Sequence, residues 1–417
     1  MFFKNFVLSV FFLPLIVFGQ NSINAEVKFG SARTNITPQK PIHMSGYDAR
    51  KTTSTGVHDE LFACALCFSN ENSKVLFITA DVISFSNELT ANTKQKIHQK
   101  TGISEENIFL TCTHNHGGPV VKAYEKNVSD TVEEYVREFQ KKLVEISVKA
   151  AKKQTPVRIG YGSGMCKMNI NRRAKFANGS VWLGRNMEGP CDHEVSVLKI
   201  EDENGKLLSL FVNWPCHGTA SGQENLQITG DWPGLAARYL NKKLGNEVIV
   251  AVTAGASGDI NPIYGPNKNF REIEAVGYHV GQTVFEILAE IKTYPVNSIE
   301  VLNKTLTLPG KKGGIGRYRD ESIEEGPDRD IRLSICKIGN YVFSGISGEV
   351  MTEIGMKIKN ESPYQGTFVI THCNGTSGYI CTNDAYSEGG YEIMVTRFWP
   401  GVEDAVTQYV IKMINSL

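Results

Sequence analysis

Three consecutive stretches decide the fold class: VLFITADV over Val75–Val82, SNELTANTKQKIHQK over Ser86–Lys100, and NIFLTCT over Asn107–Thr113. The first and third are short, almost unbroken apolar runs, the pattern of strands buried on both faces. The segment between them reads as a helix, with Gly102 as its stop signal. Outward from there the alternation continues. From Asp130 to Lys153 the apolar residues Val132, Tyr135, Val136, Phe139, Leu143 and Ile146 keep helical spacing. Val195–Ile200 and Leu207–Trp214 read as a hairpin around Glu203-Asn204-Gly205. Pro233–Leu244 reads as a helix with proline in its first turn, followed by a strand over Glu247–Thr253 and a helix over Phe270–Lys292. Strands are expected at Val296–Leu308, Ile331–Ile338 and Tyr341–Ile346, and helices at Val350–Lys359 and Val402–Asn415. The expectation is an α/β fold: mixed β-sheets covered by helices in a single large domain. Gly310–Arg329 is the one long polar stretch and reads as a loop. Its GKKGGIG run lacks the strand–loop–helix setting and the GK[ST] ending of a phosphate-binding loop.

The balance of charges narrows the function. The 417 residues carry 44 Lys and Arg against 44 Asp and Glu, so the electrostatic footprint of a nucleic-acid binder is missing. An apolar content of 41% is enough for a packed core and excludes a wholly disordered chain. Residues 1–19 read as a signal peptide: Lys4 precedes the apolar Phe6–Phe18, which is too short for a span of about 20 residues. The protein is therefore expected to be secreted or periplasmic, with no transmembrane segment in the mature chain. The nine cysteines are an odd number, and Cys64 and Cys67 sit in a strand-like run where positions i and i+3 face opposite sides. Buried free thiols are expected for most of them, with Cys373 and Cys381 the first pair to test for a disulfide.

The chemistry gathers at turns that follow strands. Thr113-His114-Asn115-His116-Gly117-Gly118-Pro119 places two imidazoles beside permissive glycines, and imidazole is both a common metal ligand and the natural acid–base near neutral pH. His217 lies in a second such turn, Asn213–Thr219, and Asp231 in a third, Thr229–Gly234, where a helix N-cap is its plain reading. Then come Gly255–Pro262 with Asp259 and Asn261, Ser347-Gly348-Glu349, and Gly378-Tyr379 with Tyr391 beyond. Glu349 read alone is a first-turn carboxylate at a helix N-terminus, and the two tyrosines read alone are core aromatics.

Taken in order, these motifs resemble the catalytic domain of the neutral/alkaline non-lysosomal ceramidase family. The resemblance begins at Gly30–Pro38 (GSARTNITP) and Met44–Tyr47, and runs through Gly56–Asp59, Asp81 and the THNHGGP turn. It continues through Asn171-Arg172-Arg173, Asp192 with Val195, His217-Gly218-Thr219, GDWPG at Gly230–Gly234, GDINP at Gly258–Pro262, Gly348-Glu349 and Gly378-Tyr379. It implies a ceramidase-like zinc hydrolase domain over residues 27–417. It further implies one zinc ion held by His114, His217, Glu349 and Tyr379, with His116 as an accessory histidine, Arg172 on the substrate side and Tyr391 as a second active-site tyrosine. The set is chemically coherent, because two imidazoles and a carboxylate are an ordinary catalytic zinc shell. The family's catalytic serine position is occupied by Asn261, whose amide is expected to orient substrate or donate to an oxyanion, with Asp259 in the turn beneath. The resemblance is to the catalytic domain alone, and no counterpart of the ceramidases' C-terminal β-sandwich domain is expected within the 417 residues.

Three functions follow from this reading. The first is a zinc-dependent amidohydrolase in which metal-activated water attacks the acyl carbon of a small-molecule, lipid or glycan acyl substrate. The second is a metal-dependent enzyme of extracellular glycans, a deacylase, an esterase or a uronate lyase, for which His116, Tyr391 and Arg172 suit proton abstraction and carboxylate binding. The third is a non-catalytic zinc-binding protein.

Overall fold

A computed structural model describes residues 26–121, 129–312 and 324–417 of the chain. The expected signal peptide lies outside the described residues. The three opening stretches form the predicted unit: strands Lys74–Ala80 and Ile108–Cys112 pair in parallel, with the helix Asn87–Thr101 between them. That helix has clear local causes. The Ser86 hydroxyl accepts from Leu89 N at 2.8 Å, and Gly102, at φ 72°, ends the helix in a conformation that suits glycine.

The unit is one edge of a nine-stranded mixed sheet. Its order runs Ile249–Ala254, Leu207–Trp214, Glu194–Asp202, Thr155–Met165, Lys28–Asn35, Phe62–Ser69, Lys74–Ala80, Ile108–Cys112, with Tyr294–Pro295 paired to Thr155–Met165 off this path. The sheet curls so that its far edge meets the near one: the Thr79 hydroxyl donates to the Val252 carbonyl at 2.6 Å. A second sheet, ordered Ile299–Lys312, Glu324–Ile338, Tyr341–Ile346, Gly366–Ile370, packs on the first. A three-stranded sheet joins Ile260–Pro262, Asn169–Lys175 and Val181–Asn186. Among the described residues there are eight α-helices, and the helices expected over 130–153, 233–244, 270–292, 350–359 and 402–415 are all present within a few residues.

The two large sheets share one core. Phe77 and Phe109 of the first pack on Phe343 of the second, with ring centroids of Phe77 at 4.7 Å from Phe109 and 4.9 Å from Phe343. Phe211 and Phe368 close the group, each within 5.4 Å of Phe343. All five rings are buried, so the cluster removes a large apolar area from water at the sheet interface.

Several expectations are corrected. Gly310–Arg329 is not one loop: the strands Ile299–Lys312 and Glu324–Ile338 run into it from both sides, pairing as far as Lys312 with Glu324. The paired Lys312, Glu324 and Glu325 are exposed to water, and residues 313–323 lie outside the described residues. Glu349 does not open a helix; it forms a two-residue parallel ladder with Tyr379, and the helix starts at Thr352. Asp231 begins its helix with Gly230 as the cap residue, and its carboxylate accepts from Ala220 N and Ser221 N at 3.1 and 2.6 Å, bracing a neighbouring loop. Cys373 and Cys381 are not bonded; all nine cysteines are free and eight are buried. The pair packs into different apolar clusters, which keeps the thiols apart. Cys64 and Cys67 do face opposite sides of their strand, each in its own cluster.

The aromatic interface carries a prediction. Phe343→Ala should destabilise the fold by about 3–5 kcal/mol, the cost of losing a buried phenylalanine. Denaturant unfolding should show a lower midpoint with an unchanged slope; a midpoint equal to wild type would mean the two sheets are not held through this ring.

Candidate metal centre

Three parallel strand pairs deliver polar groups at their C-terminal ends. His114 and His116 follow Ile108–Cys112, His217 follows Leu207–Trp214, Glu349 follows Tyr341–Ile346, and His372 follows Gly366–Ile370. Strand ends of this kind are where α/β sheets build their sites. The turn after Cys112 is tightly held. Thr113 N donates to Ala80 O, His116 N to Gly218 O, and the Asn115 amide to Thr229 O at 2.7 Å. His114 is thereby kept at φ 54°, a left-handed conformation that costs a non-glycine residue about 1–3 kcal/mol. The space beside His116 depends on Gly46, at φ 97°: a Cβ there would lie 2.3 Å from His116 Nδ1.

The proton positions follow from partners that can only accept or only donate. His114 Nδ1 lies 2.8 Å from the Ile83 carbonyl and His217 Nδ1 2.6 Å from the Ser257 carbonyl, so both nitrogens carry hydrogen. With each ring neutral, their Nε2 atoms present lone pairs. Arg172 confirms this for His217, since its Nη1 can only donate and sits 3.2 Å from Nε2. His116 Nε2 is 3.3 Å from His114 Nε2 and must be the donor of that pair, leaving its own Nδ1 buried without a partner.

These lone pairs converge on a carboxylate. Glu349 Oε2 is 3.5 Å from His114 Nε2 and 3.4 Å from His217 Nε2, and it is a buried oxygen with no hydrogen bond. Burial pushes the Glu349 carboxyl up, but His114 and His217 hold it well below the ordinary carboxylate range, so it is anionic. Burial, Arg172 and His114 push His217 down to about 3, and burial with both neighbouring imidazoles lowers His116 as well. Neutral imidazoles beside an anionic carboxylate are the forms that bind a divalent cation. Two overlapping groups, His114 with His116 and His217, and His114 with Glu349 and His372, each bring their ligand atoms within 4.8 Å of one another. The residues present can hold a metal ion.

Arg172 links the rest of the site. Its Nε donates to Glu392 Oε1 at 2.7 Å and its Nη2 to the Tyr379 hydroxyl at 2.9 Å, while Nη1 also reaches Asn261 Oδ1 at 3.4 Å. The guanidinium lies over the rings of Tyr379 and Tyr391, at 5.7 and 5.6 Å from their centroids. Burial, and then Glu349, hold the Tyr379 phenol well above its ordinary value. Asn261 also accepts from Thr219 Oγ1 at 3.2 Å, so its amide nitrogen is the end directed elsewhere. Asp259 is a brace: its carboxylate accepts from Thr352 N at 2.8 Å and Asn171 Nδ2 at 3.0 Å, and burial lifts it to about 7.

All nine expected site residues thus meet in one region, and two further groups join them. His372, in Thr371-His372-Cys373, is buried at φ 53° with its ring stacked on His114 at 3.9 Å. Glu392 is buried and grips both Arg172 and Arg173. Neither stands in a glycine-flanked turn after a recognised motif, the signal that marked the others.

Behind the imidazoles, Asp81 accepts from Phe62 N at 2.8 Å and borders a 690 Å³ cavity shared with His58, Asp59 and Arg238. Burial, with Asp59 adding to it, lifts Asp81 from 3.8 to about 7. The folded chain therefore binds this proton in a window where the unfolded chain has released it, and stability falls as pH rises through that window. Asp81→Asn removes the effect. Its melting temperature, measured against wild type across the window from 3.8 to about 7, should gain steadily with pH; a constant offset would contradict the assignment.

Comparison with known proteins places the architecture. The chain superposes on the crystal structure of neutral ceramidase from Pseudomonas aeruginosa with a TM-score of 0.78 at 18% identity, covering 94% of this chain and 74% of that one. A ceramidase complexed with C2 gives a TM-score of 0.76 over 94% of the chain and 75% of that one, also at 18% identity. In sequence it is 25% identical over 260 residues to the Pseudomonas aeruginosa neutral ceramidase, 56% of this chain and 37% of that protein. It is 24% identical over 269 residues to neutral ceramidase A of Dictyostelium discoideum, 58% of this chain and 36% of that protein. These alignments span little more than a third of the relatives' own length. Residues 28–272, more than half of the chain, match the family described as neutral/alkaline non-lysosomal ceramidase, N-terminal, and the chain belongs to that family.

Proposed function

We propose that the protein is a secreted zinc-dependent hydrolase that cleaves the amide bond of an N-acyl substrate, with water as the nucleophile. The observation that carries this reading is the meeting of two imidazole lone pairs with Glu349 Oε2, a buried carboxylate oxygen without a hydrogen bond. In this reading His114, His217, Glu349 and Tyr379 hold one zinc ion. When bound, zinc supplies Lewis acidity toward the acyl carbonyl and makes water a competent nucleophile near neutral pH.

The chain's own groups supply the rest. Hydrolysis adds water to the acyl carbon, breaks the C–N bond, and releases a carboxylic acid and an amine that keeps the water's proton. Negative charge develops on the acyl oxygen, and His116, Tyr391 and Arg172 are the donors placed to meet it. His116 suits this role because its Nε2 carries hydrogen and its ring is neutral. Asn261 holds Arg172 and Thr219 and offers its amide nitrogen to substrate, while Asp259 fixes the turn that carries it. An amide is no nucleophile, so a serine-based acyl transfer is unavailable at this position. The substrate is an N-acyl lipid, glycan or small molecule. Family membership supports hydrolysis, and the apolar Phe6–Phe18 after Lys4 supports export. Among the described residues no helix is long and apolar enough to cross a membrane.

Two measurements test the reading. Purified protein should contain one zinc per chain, and chelation or His217→Ala should lower metal content and amide hydrolysis together. Full turnover without metal would overturn the proposal, as would an ultraviolet-absorbing elimination product in place of a free amine. Tyr391→Phe should keep its zinc and lose about 10²–10³-fold in turnover, the cost of one oxyanion donor. Unchanged turnover would remove Tyr391 from the mechanism.

A further inference from the structure

Beside the metal centre lies a cavity of 380 Å³ lined by Arg329, Arg332, Arg397, Asn87, Ser377 and Gly378, with Asp328, Asp330 and Thr376 completing it. Its wall includes the segment that carries Tyr379, which is bonded to the segment that carries Glu349. Gly378 immediately precedes Tyr379, and the Ser377 hydroxyl lies 2.8 Å from that of Ser347, two residues before Glu349. The cavity also shares the sheet edge of the site. Asn87 opens the helix after Lys74–Ala80, and Arg329 and Arg332 lie on the strand that pairs with Tyr341–Ile346.

Three guanidinium groups line one small cavity, and among the described residues none of them is ion-paired. Arg332 is partly satisfied, donating from Nη1 to Asn87 Oδ1 at 3.0 Å. The side chains of Arg329 and Arg397 make no hydrogen bond among the described residues, and Arg329 Nε is buried without a partner. The two carboxylates present do not compensate them. Asp330 Oδ1 accepts from Thr307 at 2.7 Å, and Asp328 is exposed. Burial lowers the Arg397 guanidinium below its ordinary value and the charge of Arg329 adds to this, as expected of two cations that line one cavity. An anion that joins partly buried arginines relieves their repulsion, and their planar donor forks match the oxygens of carboxylate and sulfate.

We propose that this arginine-lined cavity binds an anionic substituent of the substrate, so that the enzyme selects N-acyl compounds carrying an oxyanion next to the scissile amide. The proposal rests on the amidohydrolase reading and names its substrate class. Arg329 and Arg397 are specificity-determining residues that take no part in bond cleavage, while Arg332 and Asn87 frame them.

The test uses zinc-loaded protein and paired substrates. An N-acyl amino acid with a free carboxylate is compared with its carboxamide, and an N-acyl hexosamine with its sulfate ester. Wild type should favour the anionic member by about 10- to 100-fold in kcat/KM, the range of one hydrogen bond to a charged group. The pair that shows the preference identifies carboxylate or sulfate. Arg329→Met with Arg397→Met should erase the preference while zinc content and turnover of the neutral member stay unchanged. Arg397→Gln alone should reduce it, should the double variant fail to fold. Equal rates on both members in wild type, or a preference that survives both variants, would overturn the proposal. Calorimetric titration with inorganic sulfate gives a readout free of catalysis: binding to wild type that is lost in Arg329→Met/Arg397→Met supports the anion site, and binding that persists in the variant refutes it. Sulfate binding at these arginines without hydrolysis of any substrate would sink the amidohydrolase reading and leave the anion site standing.

Discussion

The unprotonated Nε2 atoms of His114 and His217 face one buried oxygen of Glu349 at 3.5 and 3.4 Å, and no hydrogen stands between them. Each group is electron-rich on the side it turns to the others, and removing water strengthens their repulsion. Protonation is the ordinary escape, yet burial, Arg172 and His114 hold His217 neutral, and burial with both neighbouring imidazoles does the same for His116. The backbone closes the other exit, because the Ile83 and Ser257 carbonyls bind the Nδ1 hydrogens and prevent the tautomers from reversing. His116 and Arg172 donate to the two imidazole lone pairs but leave Glu349 Oε2 without a donor, and one cation would satisfy all three atoms together. The surrounding structure has to keep this arrangement from relaxing when it is empty, and much of the fold serves that end.

Three parallel strand pairs meet that demand. Each ends at the same face, and the turn after each one carries a ligand-type side chain: His114, His217, and Glu349 with His372. Because the pairs belong to two different sheets, the site is only as rigid as the contact between the sheets. That contact is the aromatic cluster around Phe343, several residues below the polar turns on the same strands. The left-handed backbone at His114 and at His372 is paid for by this packing and by the hydrogen bonds that pin each turn. Strain held by a rigid scaffold is a common property of functional sites.

The strands of this scaffold were legible because they are apolar and bounded by turn residues; Tyr341–Ile346 and Val402–Asn415 were readable to the residue. The three-stranded sheet that carries Arg172 was not. Asn169–Lys175 reads Asn-Ile-Asn-Arg-Arg-Ala-Lys, a polar run with no period-two apolar face, and its partner Ile260–Pro262 is three residues long. Their pairing sets Ile260 opposite Asn171 and so brings Asn261 beside Arg172, a relation that only the tertiary structure supplies. Glu349 was misread as a helix start for a related reason: a two-residue ladder with Tyr379 leaves no pattern in sequence. The candidate residues themselves were legible through their order and glycine context. His372 and Glu392 escaped because a lone histidine in Thr371-His372-Cys373 and a glutamate in a short helix carry no distinguishing spacing.

Arg172 ties the candidate ligands to Glu392, Tyr379 and Asn261 through competition for one electron pair. Its Nη1 donates to His217 Nε2, the same lone pair that faces Glu349. A single lone pair cannot serve two partners, so Nη1 loses this acceptor whenever the imidazole is engaged elsewhere. The guanidinium does not leave, because Glu392 holds Nε at 2.7 Å and Tyr379 holds Nη2 at 2.9 Å. Glu392 is itself fixed by Arg173, so the pair of arginines and the shared carboxylate behave as one rigid block. A charged donor that is anchored at two nitrogens and released at the third is oriented before any substrate arrives. Its remaining neighbour, Asn261, is a weak acceptor at 3.4 Å and therefore an easily exchanged one. In the proposed amide hydrolysis, an acyl oxygen gaining negative charge would be a stronger acceptor than either the amide or the imidazole, which is the condition for a donor to favour a transition state over the ground state.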